Sequence, residues 1–104
     1  EHHDHVEGNP AVVAATGAEV IAHKNAIAKI PNVDRGVIAG ELIELGSLRL
    51  HVLFTPGHTP VHLCLLVKAE DNGGTPVLFS GDTLFNACAG KDSRYCREFN
   101  AGRF

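Results

Sequence analysis

The apolar residues fall into short runs separated by glycine-containing breaks, and the period of the runs changes along the chain. Asn9-Pro10 reads as a helix start, because asparagine can cap free N–H groups and proline suits the first helical position. Ala11–Thr16 continues the helix and Gly17 is placed to end it. Ala18–Ala22 then reads as a short strand, whereas Lys24–Gly40 carries mixed signals and is expected to be loop. From Glu41 the pattern sharpens. Leu42–Leu45 and Leu48–Phe54 are apolar-rich runs joined by Gly46-Ser47, and glycine first in a two-residue loop predicts a type II′ hairpin turn. Leu48, Leu50, Val52 and Phe54 alternate with Arg49 and His51, which predicts one buried face. Val61–Val67 is nearly all apolar, as for an interior strand covered on both sides. Asp71-Asn72-Gly73-Gly74 is a turn, and Val77–Phe79 is the next strand. The elements sum to an α/β layered piece, a β-rich sheet with at least one helix on a face.

Composition narrows the picture by exclusion. A chain of 104 residues has room for one small domain. A net charge of −3 provides no electrostatic footprint for nucleic acid or for an anionic membrane surface. No apolar run approaches the roughly 20 residues that span a bilayer, and the opening Glu-His-His-Asp-His lacks the layout of a signal peptide. Cys64, Cys88 and Cys96 are an odd number without a CxxC pair, which argues against a disulfide framework. Such usage favours a reducing compartment, cytoplasmic or alternatively mitochondrial. The chain contains no methionine and begins on a charged cluster, so it is expected to be an internal piece of a longer polypeptide.

The chemistry-bearing residues sit in three clusters. His2-His3-Asp4-His5 opens the chain, Thr55-Pro56-Gly57-His58-Thr59 follows one strand, and Ser80-Gly81-Asp82-Thr83 follows another. Taken singly, each has an ordinary reading. Terminal histidines belong to a tag or a solvated end, His58 to a hydrogen-bonded loop, and Asp82 to a turn. Taken together, they predict convergence. If the two strands end on the same edge of a sheet, His2, Asp4, His5, His58 and Asp82 gather there, and imidazole with carboxylate is the donor set for Zn²⁺ and similar cations. Gly57 and Gly81, each beside a candidate ligand, are expected to permit the sharp turns that aim those side chains.

These blocks resemble the metallo-β-lactamase superfamily, marked by H-x-H-x-D-H, a later Gly-His, and an Asp at a strand end. Glu1-His2-His3-Asp4-His5 reads as x-H-x-D-H, which puts the first histidine of the motif immediately before residue 1. Val6-Glu7-Gly8-Asn9 resembles the "GGN" segment of the glyoxalase II (hydroxyacylglutathione hydrolase) branch, with Glu7 in place of the first glycine. Thr55-Pro56-Gly57-His58-Thr59-Pro60 and Gly81-Asp82-Thr83-Leu84-Phe85 are similar to that branch's blocks in order and separation. The resemblance runs from Glu1 to about Lys91 and implies that the chain is part of an αββα sandwich holding two zinc ions, with iron or manganese as alternatives. By the same resemblance His2 and His58 are ligands of one metal, Asp4 and His5 of the other, and Asp82 bridges both. A further histidine ligand is implied beyond Phe104. Lys91 falls where the family grips the thiol carrier's carboxylate, although G-C-G-[KR] stands here as Cys88-Ala89-Gly90-Lys91, and Tyr95 is a candidate substrate contact.

The activity implied is thioester hydrolysis, with S-lactoylglutathione as the type substrate, Asp82 and Asp4 as catalytic carboxylates, and a small molecule as the only partner. His3 is expected in solvent or behind the metal ligands. His23, His51 and His62 are expected to have no catalytic role, with His62 the nearest of the three to the site. Alternatives within the fold are a mononuclear iron persulfide dioxygenase, a lactonase or a nuclease. An inactive fragment is the alternative outside catalysis.

Overall fold

The computed structural model describes residues 2–85 and 88–89. The chain divides into two compact units, residues 1–38 and residues 39–104.

In the first unit, helix α1 (His3–Val6) is a single turn with no buried residue, preceded by His2 in extended conformation. Helix α2 (Asn9–Thr16) follows. Its cap is Gly8 rather than Asn9, and Asn9 lies inside the helix ahead of Pro10. Gly17 ends it as expected, in the left-handed conformation (φ 68°), its N–H donating to Val13 O at 2.8 Å. Strands β1 (Ile21–His23) and β2 (Arg35–Val37) pair in parallel, with His23 opposite Val37. β1 begins three residues later than its apolar pattern, and β2 falls within the segment expected to be loop. The Asp34 side chain aligns the pair by accepting from Val20 N at 2.7 Å. Gly36 is closely packed: a Cβ there would lie 2.7 Å from Ile27 Cδ1 and 3.0 Å from Lys24 Cα. Val37 and Ala26 are the buried apolar residues of this unit. His23 is buried and its Nδ1 accepts from Asn25 N, capping the short 3₁₀ turn Lys24–Ala26.

The second unit is an antiparallel sheet in the order β3 (Leu42–Leu45), β4 (Leu48–Phe54), β5 (Leu63–Val67), β6 (Val77–Phe79). A two-residue hairpin, β7 (Leu84–Phe85) with β8 (Cys88–Ala89), follows. The β3–β4 turn is the predicted one, with Gly46 at φ 59° and Ser47 outside the positive-φ region. Opposed residues in an antiparallel ladder share a face. Ile43, Leu50, Val67 and Val77 therefore define one face, to which Leu45, Leu48, Val52, Leu65 and Phe79 also belong. Ile43, Val52 and Val67 are its buried members, and Cys64 is buried on the opposite face. Burial on both faces of β5 agrees with its nearly unbroken apolar sequence.

Two expectations need correction here. Phe54 is 43% exposed although it shares the face of Val52. The row Phe54–Leu63 is only two strands wide, because β3 and β6 pair with other rows, so no neighbouring strand shields it. Also, β5 starts at Leu63, since Val61 and His62 belong to the preceding loop. At the far end of the sheet Arg49 donates to Asp71 Oδ1 at 2.7 Å, and that bond raises the guanidinium pKa above its usual value. No helix among the described residues is long and apolar enough to cross a membrane.

Candidate metal centre

β4 and β6 both run antiparallel to β5, which lies between them. They therefore run parallel to each other and deliver their C-terminal ends to the same sheet edge. Two inter-strand spacings of roughly 4.8 Å separate those ends. This is the arrangement that the strand-end clusters required.

The loop after β4 closes on itself. Thr55 N donates to His62 O at 2.9 Å, Gly57 N to Thr59 O at 3.0 Å, and His62 N to Thr59 O at 3.4 Å. Thr59 is buried at the centre of this loop. The loop presents His58, whose side chain is only 15% exposed. Gly57 does not occupy the positive-φ region, so the glycine freedom expected there is not what shapes the loop. Gly81 differs. It stands at φ 51° in a turn closed by Thr83 N donating to Ser80 O at 3.1 Å.

That turn aims Asp82 at His58. The two side chains meet at 3.1 Å, His58 Nε2 to Asp82 Oδ2, with Asp82 27% exposed. Imidazole nitrogen and carboxylate oxygen are a donor pair suited to zinc and related ions. A 3.1 Å edge is also one that two ligand bonds of roughly 2.0–2.2 Å to a common ion can span. The chemistry and separation of these donors fit a metal site.

The first cluster is held in another manner. His2 precedes α1 and His5 lies one turn on, their ring centroids 6.3 Å apart. His5 N donates to His2 O at 3.0 Å. Asp4 Oδ2 lies 3.8 Å from His5 Nε2, and both side chains are substantially exposed. His3 takes the other side of the turn, where its Nε2 lies 2.9 Å from Glu7 Oε2. The His3–Glu7 pair is set by helical spacing, since residues i and i+4 share a face. His2, Asp4 and His5 thus sit together in the first unit, and His58 and Asp82 together in the second. Lys91 and Tyr95 lie outside the described residues.

Sequence reasoning missed Thr55 and Thr83. Their hydroxyls lie 3.0 and 2.8 Å from His62 Nδ1. The available signal was positional: each threonine stands within three residues of a candidate ligand, Thr55 directly after β4 and Thr83 in the turn between β6 and β7.

The model of the "Metallo-beta-lactamase superfamily" matches residues 1–103. A hydroxyacylglutathione hydrolase of Polaromonas sp. is 57% identical over 91 residues, which cover 86% of this chain and 33% of the relative. One of Nitrosococcus oceani is 47% identical over the same coverage. Among solved structures, ETHE1 from Myxococcus xanthus aligns with a TM-score of 0.65 at 26% identity, covering 96% of this chain and 43% of that one. The chain spans about a third of the length of the curated relatives it matches. With candidate ligands at strand ends on one sheet edge and the family's model matched along residues 1–103, the chain belongs to the metallo-beta-lactamase superfamily.

Proposed function

We propose that this chain carries most of the binuclear metal site of a thioester hydrolase acting on a glutathione-type acyl thioester. The observation that carries the reading is the half-buried His58–Asp82 pair at 3.1 Å, in a chain that is 57% identical to a hydroxyacylglutathione hydrolase. In this reading His2 and His58 hold one ion, Asp4 and His5 the other, and Asp82 serves both. Two bound zinc ions, or iron or manganese in their place, supply Lewis acidity to an acyl carbonyl and lower the pKa of a water to the neutral range.

The chain's own groups do the rest. Asp82, fixed by the Gly81 turn, offers two carboxylate oxygens and can address two sites at once. Asp4 is the exposed carboxylate beside His5, able to orient that imidazole or to take a proton from the attacking water. A thiolate leaving group needs little protonation, so the reaction makes no demand for a strong general acid. Lys91 and Tyr95 are proposed to meet the thiol carrier, Lys91 through its carboxylate. A reducing, cytoplasmic setting suits both a thiol-based substrate and the free, buried Cys64.

The test is elemental analysis of the intact protein paired with hydrolysis of S-lactoylglutathione. The expected result is about two metal ions per chain with turnover, both lost in Asp82→Ala. One iron per chain without hydrolysis would replace this reading with an iron-dependent oxygenase. Absence of any bound metal would leave a fold without this chemistry.

A further inference from the structure

His62 touches both segments that deliver ligands in the second unit. Its Nδ1 lies 3.0 Å from Thr55 Oγ1, just past the end of β4, and 2.8 Å from Thr83 Oγ1, in the turn after β6. The two hydroxyls are 3.5 Å apart, with Thr83 donating to Thr55. Thr55 Oγ1 is also 3.2 Å from the Sγ of buried Cys64. The other edge of the ring packs on the turn itself: a Cβ at Gly81 would lie 2.9 Å from His62 Nε2. The ring meets His58 edge-on, with centroids 6.2 Å apart and planes at 87°.

The sheet alone does not hold these two segments in register. β4 and β6 are not hydrogen-bonded to each other, since β5 separates them. The ladders end at Phe54–Leu63 and Leu65–Phe79, so Thr55 and residues 80–83 lie beyond the last paired rows. Something past the ladder has to set the distance between His58 and Asp82. His62 is placed to do so. In either tautomer Nδ1 presents a lone pair or a proton to the hydroxyl pair, and a threonine O–H rotates to match. The contact on Gly81 closes the clamp from the side of Asp82.

We propose that His62 is a positioning residue of the metal site, holding Thr55 and Thr83 through Nδ1 and the Gly81 backbone through its far edge, and so setting the separation of His58 from Asp82. The proposal rests on the reading of His58 and Asp82 as metal ligands. It assigns His62 no bond to the metal and no step in the reaction.

The experiment compares wild type with His62→Ala, His62→Asn and Thr83→Val in the intact protein, with folding checked by thermal unfolding. Zn²⁺ affinity is measured by competition with a chromogenic chelator, and the ligand-field spectrum is recorded after loading with Co²⁺. His62→Ala is expected to weaken metal binding about 10- to 100-fold and to shift the Co²⁺ bands. His62→Asn keeps an amide atom at the Nδ1 position and is expected to restore most of the affinity and the bands. Thr83→Val is expected to reproduce part of the loss. His62→Ala with wild-type affinity and spectrum overturns the proposal, as does His62→Asn failing as badly as alanine. If His62→Ala does not fold, Thr83→Val decides: unchanged affinity and bands overturn the clamp, and a loss supports it. A wild-type protein that takes up no metal fails differently, since it removes the metal reading together with the proposal.

Discussion

The two regions of this chain that carry candidate metal ligands are built on different principles. His58 and Asp82 come from strand ends, are mostly enclosed, and stand within a network of loop, turn and threonine hydrogen bonds. His2, Asp4 and His5 come from the single turn α1 and the extended residue before it, a segment with no buried residue in the helix, where His5 N donates to His2 O and Asp4 lies beside His5. A four-residue helix is far below the length at which helices persist by themselves in water. One half of the proposed ligand set is thus preorganised by tertiary structure, and the other is held by local spacing. The lesson concerns where geometry is stored. In the strand-end half it resides in contacts between distant residues, so single changes there should be costly. In the helical half it resides in the sequence spacing, and only the ligands themselves should matter.

Gly81→Ala challenges the preorganised half most severely. The new Cβ meets a backbone at φ 51° and an imidazole atom at 2.9 Å that is tethered through its own ring. We expect a loss of about 1–3 kcal/mol in unfolding free energy and of about tenfold or more in metal affinity. Denaturant unfolding and chelator competition measure the two. A fully stable Gly81→Ala variant with native affinity would show that the turn tolerates displacement and that the strand-end half is no more preorganised than the helical one.

Glu7→Ala probes the other half. It removes the His3–Glu7 pair, whose side chains are 86% and 57% exposed. Such an i,i+4 pair contributes about 0.2–0.5 kcal/mol, so unfolding should move by no more than that. Metal affinity should not change. A large loss of metal binding in Glu7→Ala would mean that α1 depends on this pair to place His2 and His5, and that the helical half is as cooperative as the other.

The legibility of the molecule in its sequence follows the same division. The β3–β4 hairpin was legible because Gly46 supplies a positive φ at the one place the turn needs it. Strands β5 and β6 were legible from unbroken apolar runs, although β5 loses Val61 and His62 to the loop. β2 was not legible: Arg35-Gly36-Val37 is three residues long and its glycine is closely packed on Ile27 and Lys24, a tertiary contact with no periodic signature. Phe54 misled because alternation reports which face a residue takes, and says nothing about whether neighbouring strands reach far enough to cover it. The candidate ligands were legible as motifs. The clamp around His62 was not, since its partners stand 7 and 21 residues away and are joined only by the fold.

The proposed function requires that both candidate ligand sets serve one metal centre. The most direct test is histidine-labelled NMR of the Co²⁺-loaded intact protein, in which rings near the paramagnetic ion shift strongly. The signals of His2, His5 and His58 are expected to shift together. Strong shifts for His58 with His2 and His5 unmoved would contradict the proposed function, and would confine the metal to the strand-end half.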